Sequence, residues 1–154
     1  MKKWMLFCAA IGFALVFAAR AGAQEDRGLW RAASTNAHAI TSDIVISEAK
    51  VTIDFAIFPL AQIRRLTPAE VSAVFDADVN AGIEGTLYRL RVPAAQRFEH
   101  KNTLCSGEDV QWMATYATGR TLNVVFFSGD AMPIFTFDAI QNSSALCGTF
   151  VYGR

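Results

Sequence analysis

Large apolar side chains return at every second position over most of this chain, and they switch to helical spacing convincingly in one place. From Ile40 the alternation runs through Ile44 and Ile46. It resumes with Val51, Ile53, Phe55 and Ile57, between which stand Lys50, Thr52, Asp54 and Ala56. A strand written this way has one buried and one wetted face, the habit of antiparallel rather than parallel sheets. Ser47 to Lys50 reads as a hairpin connection, and Pro59 as the break that ends the second run. Tyr88, Leu90 and Val92 alternate with Arg89 and Arg91 before Pro93. Val110 to Tyr116 and Thr121 to Phe127, joined at Gly119-Arg120, form the clearest hairpin, and Thr149 to Tyr152 the last strand. Pro133 to Phe137 is an apolar run of either kind, and Asp138 to Ala145 reads as a loop or a short helix.

The helix signal is Thr67-Pro68-Ala69-Glu70. Threonine at the N-cap, proline at the first helical position and glutamate three residues after the cap make a capping box, in which two otherwise unpaired amides are satisfied reciprocally. Val71, Val74 and Phe75 follow at helical spacing, and the helix is expected to end by Asp78. Six or seven short strands, one short helix and no strand–helix–strand alternation predict an all-β fold, a small antiparallel barrel or curved sheet, with α+β as the alternative.

The first 23 residues predict a cleavable signal peptide. Lys2 and Lys3 precede an uncharged apolar run from Trp4 to Ala19, and Ala21-Gly22-Ala23 supplies the small-x-small cleavage pattern. The run falls short of the ~20 residues that span a bilayer, so no stable membrane anchor is expected after cleavage. Residues 24–39 hold mixed charge, with Leu29 and Trp30 their only large apolar side chains, and read as a flexible N-terminal tail; residues 40–154 read as a single β-rich domain. Loss of Lys2, Lys3 and Arg20 from 14 basic residues leaves 11 against 14 acidic, a net charge of −3. That balance argues against nucleic acid, whose affinity comes mainly from neutralised phosphates.

Cleavage also removes Cys8 and leaves Cys105 and Cys147, an even pair in an oxidising compartment, where pairing is the default. The expected location is periplasmic or secreted. A redox or metal site is the weaker reading, because there is no Cys-x-x-Cys and no histidine-rich surrounding.

Catalytic constellations are sparse. His38 falls in the expected tail and His100 in the polar stretch Glu99-His100-Lys101. There is no His-Glu-x-x-His, no Gly-x-Ser-x-Gly and no phosphate-cradling glycine loop. Glu108-Asp109 and Asp76/Asp78 are acid pairs of the kind glycosidases use, though such pairs in loops are commonly solvated faces or caps. No cofactor or metal is expected. Among the aromatic residues near the C-terminus, Trp112 and Phe127 are candidates for an apolar groove. Phe127 lies on the opposite strand face from Phe126, and its exposure would create a binding patch. Arg64, Arg65, Arg89 and Arg91 suggest a basic stripe.

A leader before a small strand-rich domain with one cysteine pair resembles, in architecture, the small-barrel periplasmic lysozyme inhibitors. Ser106-Gly107 after Cys105 is too short to match their inhibitory serine–glycine loop, so no family residue is carried over. The sequence predicts a non-enzymatic binding or inhibitor-like module of the bacterial envelope. Its partner is expected to be an envelope protein or a small apolar ligand, and its contact loop Ser106, Gly107, Glu108 and Asp109, held by the disulfide. An enzyme assembled around His100 with Glu99 or Asp109, and a structural or stress-related envelope component, are the rivals. Nothing in the sequence sets the oligomeric state.

Overall fold

The computed structural model describes residues 26–154; the expected signal peptide lies outside them. Eight strands in simple up-and-down order form a closed antiparallel barrel: β1 (Gly28–Ala32), β2 (Ile44–Ile46), β3 (Lys50–Ile53), β4 (Ala56–Leu66), β5 (Gly85–Val92), β6 (Val110–Thr118), β7 (Thr121–Ser128) and β8 (Leu146–Gly153). Each strand pairs with the next, and β8 returns to β1 through Arg31–Gly153 and Ala32–Tyr152. Closure leaves no edge strand, which removes the usual risk of strand-to-strand aggregation.

Two α-helices interrupt the strand series among the described residues. The capping box predicted at Thr67 is formed: Thr67 Oγ1 accepts from the Glu70 amide, and the Glu70 carboxylate accepts from the Thr67 amide at 2.9 Å, opening α1 (Pro68–Phe75). Asp76 in the left-handed region ends it. The second, α2 (Phe137–Gln141), is one turn long and capped by Thr136.

Three strand readings are corrected. Residues 28–32 are not tail but β1, paired with β2 and β8, with Trp30 fully buried. The run from Val51 to Ile57 is not one strand but a tight hairpin. Ile53 pairs with Ala56 around Asp54 and Phe55, whose φ angles of 44° and 66° give the twist of a type I′ turn. Pro59 does not end β4. The Leu60 amide donates to Ala49 in the β3 direction, so the proline nitrogen one residue earlier faces β5. Pairing of β4 with β5 begins only at Leu60–Leu90, so no ladder bond is due at Pro59.

Side chains pack in two layers. The barrel interior is filled by large groups, among them Trp30, Tyr88, Met113, Phe126, Phe150 and Tyr152, each at most 2% exposed. A second core lies outside the barrel, where α1, α2 and Phe135 cover Leu87, Trp112, Val125 and Phe127 of β5–β7. Close approach of α1 needs Gly85, where a Cβ would stand 2.6 Å from the Thr115 carbonyl oxygen and 3.0 Å from Val71.

Candidate binding surface

A groove of about 770 Å³ opens on the outside of the barrel where β4 and β5 part below Leu60–Leu90. Pro59 and Ala61 give it a small, apolar floor, and Arg89, Arg91, Gln111, Asp109 and Asp130 its polar sides. The outward positions of β5 carry both arginines because Tyr88, Leu90 and Val92 point inward.

Arg89 is fixed on three sides. Its guanidinium lies over the Trp112 ring, 4.5 Å from the centroid, donates to the Asp130 carbonyl oxygen at 3.1 Å, and donates to Gln111 Oε1. The Trp112 indole N–H in turn donates to the Gly129 carbonyl oxygen at 3.1 Å, which locks the ring. Arg91 is freer: its side chain is 78% exposed and pairs with Asp109 Oδ2 at 3.2 Å. Asp109 Oδ1 accepts from the Ala94 amide at 2.9 Å. That amide first, and Arg91 after it, hold the Asp109 carboxyl below the usual carboxylate range.

The predicted basic stripe is a ladder of ion pairs. Arg64 meets Glu70, Arg65 meets Glu84, Arg89 meets Asp130 and Arg91 meets Asp109. Only Arg64–Glu70 is bidentate, at 2.8 Å on both oxygens, and Arg64 also lies 5.6 Å from the Phe135 ring centroid. Exposed pairs of the Arg91–Asp109 kind are worth little, since water and salt screen them. They can therefore be exchanged for a ligand carboxylate at small cost.

The expected contact loop divides. Cys105 and Cys147 are bonded, with Cα atoms 4.8 Å apart, as suits an oxidising environment. Beside them Ser106 and Glu108 line a recess of about 260 Å³ together with Ser144 and Leu146. Gly107, with φ of 97°, makes the turn between them. Asp109 faces the other way, into the groove. Adjacent residues thus wall two neighbouring depressions.

Trp112 and Phe127 do not make an open apolar groove. Phe127 is fully buried, edge-on to Phe135 at 6.0 Å, and Trp112 is 6% exposed beneath Arg89. The reason is the outer core: the helices cover the face on which Phe127 points. His38 and His100 are both exposed, on two turns that touch at one end of the barrel, where Asn102 Nδ2 donates to the Ala39 carbonyl oxygen at 2.8 Å. Among the described residues, no group of three or more His, Cys, Asp or Glu side chains is arranged to hold a metal ion.

One polar centre escaped the sequence reading. Asp26 is 4% exposed, and its Oδ2 accepts from the Tyr88 hydroxyl at 2.7 Å and from Thr115 Oγ1 at 2.6 Å. Its carbonyl oxygen accepts from the Trp30 indole N–H at 2.8 Å, while Oδ1 is buried with no hydrogen-bond partner among the described residues. Burial, with the Asp26 charge second, pushes the Tyr88 phenol well above its ordinary range. This cluster ties the start of the first strand into the barrel. Comparison of the chain with protein families, with curated proteins and with solved structures finds no match.

Proposed function

We propose that this chain is a non-enzymatic binding module exported to the bacterial envelope, and that it takes an acidic, extended segment of a protein partner in the groove over β4–β6. The observation that carries the reading is the filled interior. A carrier of small apolar ligands needs an open barrel, whereas here Trp30, Tyr88, Phe126, Phe150 and Tyr152 occupy that space. The room left for a partner is outside, where an apolar floor of Pro59 and Ala61 lies beside a loosely paired Arg91. A segment carrying a carboxylate displaces Asp109 from Arg91, and a guanidinium fork suits a bidentate carboxylate. The loop 106–109, stapled by the disulfide, forms the rim and loses little entropy on contact.

The test is capture from envelope extract on immobilised protein, comparing the wild type with Arg91→Glu, Glu108→Lys and a control reversal, Lys101→Glu. The expected result is a captured protein that is lost with Arg91→Glu, captured no less strongly with Glu108→Lys, which adds positive charge at the rim, and retained with Lys101→Glu. Identical capture by all four proteins would refute the groove as the contact surface.

A further inference from the structure

A second outer face, over β1–β4, carries an uncovered apolar row. Register places Leu29 beside Val45, Val45 beside Thr52 and Thr52 beside Ile57, one residue from each of four adjacent strands. Leu29 is 49% and Ile57 61% exposed. At the tip of the β3–β4 hairpin, Phe55 is 94% exposed and held at positive φ. That conformation costs a bulky residue on the order of 1 kcal/mol, so a more permissive residue would suit the fold alone better.

Charge is arranged about this row with opposite signs on its two sides. On one side a recess of about 210 Å³ is walled by Leu29, Val45 and Phe55 and carries the carboxylates of Asp54 and of Asp43, the latter paired with the exposed Arg31 at 3.8 Å. On the other side stands Lys50, exposed and in no ion pair among the described residues. From β3 into its turn the sequence of outer positions therefore reads cation, neutral, anion: Lys50, Thr52, Asp54.

Such a surface is complementary to itself. A two-fold axis lying in the contact plane along the row sets two copies face to face with their β3 strands antiparallel. Thr52 then meets Thr52, and Lys50 of each protomer stands over Asp54 of its partner. We propose that the chain forms a two-fold symmetric dimer through this face. The lysine stem lies along the Phe55 ring while its ammonium enters the acidic recess, and Phe55 is the exposed anchor of the contact. Because both faces are convex, the buried area falls at the low end of specific interfaces, below ~1,200 Å² in total. The association is a weak one, in the ~µM range of small transient contacts. The dimer is independent of the groove over β4–β6, and either proposal can fail without the other.

The experiment is sedimentation equilibrium of the purified protein over ~1–500 µM, a range that brackets a micromolar constant. A concentration-dependent monomer–dimer equilibrium is expected. Lys50→Glu alone and Asp54→Lys alone place like charges over one another and weaken it at least ~10-fold. An equimolar mixture of these two variants restores dimer, because each then supplies the sign the other lacks. Phe55→Asn relaxes the turn and raises the unfolding temperature of the monomer, yet also weakens association at least ~10-fold. Loss of dimer together with gained stability cannot come from misfolding, so the test stands even if Asp54→Lys fails to fold. A wild type that stays monomeric throughout overturns the proposal, as does a dimer indifferent to Lys50→Glu and Phe55→Asn. A monomer that uses Phe55 to bind phosphatidylcholine or phosphatidylglycerol vesicles would also overturn it, by assigning the face to lipid.

Discussion

Asp26→Ala tests how the first strand is locked into the barrel. In the folded protein the Tyr88 and Thr115 hydroxyls share Asp26 Oδ2 as their acceptor, at 2.7 and 2.6 Å. Truncation takes this acceptor from two buried hydroxyls, at ~1–3 kcal/mol each. Part of this is offset, because Oδ1 is buried with no partner among the described residues. Relief from burying that oxygen returns ~1–2 kcal/mol, so the net loss is about 1–4 kcal/mol. Urea unfolding followed by tryptophan fluorescence reads it. With a slope of ~2 kcal/mol/M, the midpoint falls by about 0.5–2 M with the slope unchanged. Asp26→Asn keeps one acceptor oxygen and falls between the wild type and alanine. Tyr88→Phe removes one of the same donors, so the double variant with Asp26→Ala loses less than the two singles summed, with a coupling of ~1–3 kcal/mol. The alkaline limb checks the cluster from another side. Tyr88 and Tyr152 have raised phenol pKa values in the folded state, chiefly through burial. Stability is therefore full below the unfolded phenol value of ~10 and declines as pH rises above it, and Tyr88→Phe flattens that decline. An Asp26→Ala protein within ~0.5 kcal/mol of wild type, or a strictly additive cycle, would refute the lock.

Three further outcomes follow from the geometry. Glu70 accepts from Arg64 at both oxygens and from the Thr67 amide, and Arg64 first among these partners lowers its pKa. A carboxyl lowered in the folded state stabilises above its unfolded value of ~4.3 and loses that contribution as pH falls, so Glu70→Gln lowers stability at pH 7 by ~1–2 kcal/mol and leaves it less sensitive to pH between about 4.5 and 2, as acid titrations of the denaturant midpoint will read. Reducing Cys105–Cys147, which closes a span of 42 positions, lowers stability by up to ~4 kcal/mol in the chain-entropy account, measured as the calorimetric shift with and without reductant. Gly85→Ala forces a methyl against the Thr115 carbonyl oxygen and Val71 and costs ~1–3 kcal/mol, whereas Gly119→Ala, with nothing within 4 Å, costs only the strain of its φ of 57°, a contrast read from paired urea curves.

What was legible was local. The capping box at Thr67 and the β6–β7 hairpin about Gly119 are decided by neighbours within a few residues, and both form where the pattern put them. The misreadings have physical causes. In residues 51–57 the apolar alternation continues unbroken through a two-residue turn, but the turn reverses the phase. Val51 and Ile53 point inward before it, Phe58 and Leu60 after it, and Phe55 and Ile57 are left outside. The burial of Phe127 was signalled by the unbroken run Val124-Val125-Phe126-Phe127, which marks a strand apolar on both faces. β1 had no local signal of comparable strength. Trp30 is buried because β2, β8 and the Asp26 carbonyl converge on it, and the β1–β8 partners lie as much as 122 positions apart in sequence.

The groove was hard to foresee for the same reason. Its two arginines were visible, but Asp109 and Asp130 reach them from 18 and 41 positions away, through barrel closure rather than pattern. Closure also narrows how such a protein can recognise anything. A barrel whose eighth strand pairs with its first has no edge strand, the usual place for a partner to add a strand. With Trp30, Tyr88 and the phenylalanine rings inside, the interior is taken, and with α1, α2 and Phe135 over β5–β7, so is much of that face. Recognition is left to the end loops and to the uncovered outer surface of β1–β6. On that surface the apolar row with Phe55 and the groove beside Arg91 meet at β4, where Ile57 belongs to one and Pro59 to the other. A dimer formed on the row therefore sets two grooves beside the contact, one on each protomer. If both proposals hold, disrupting the dimer with Phe55→Asn leaves single-site affinity intact and lowers only the avidity for a partner that offers two acidic segments.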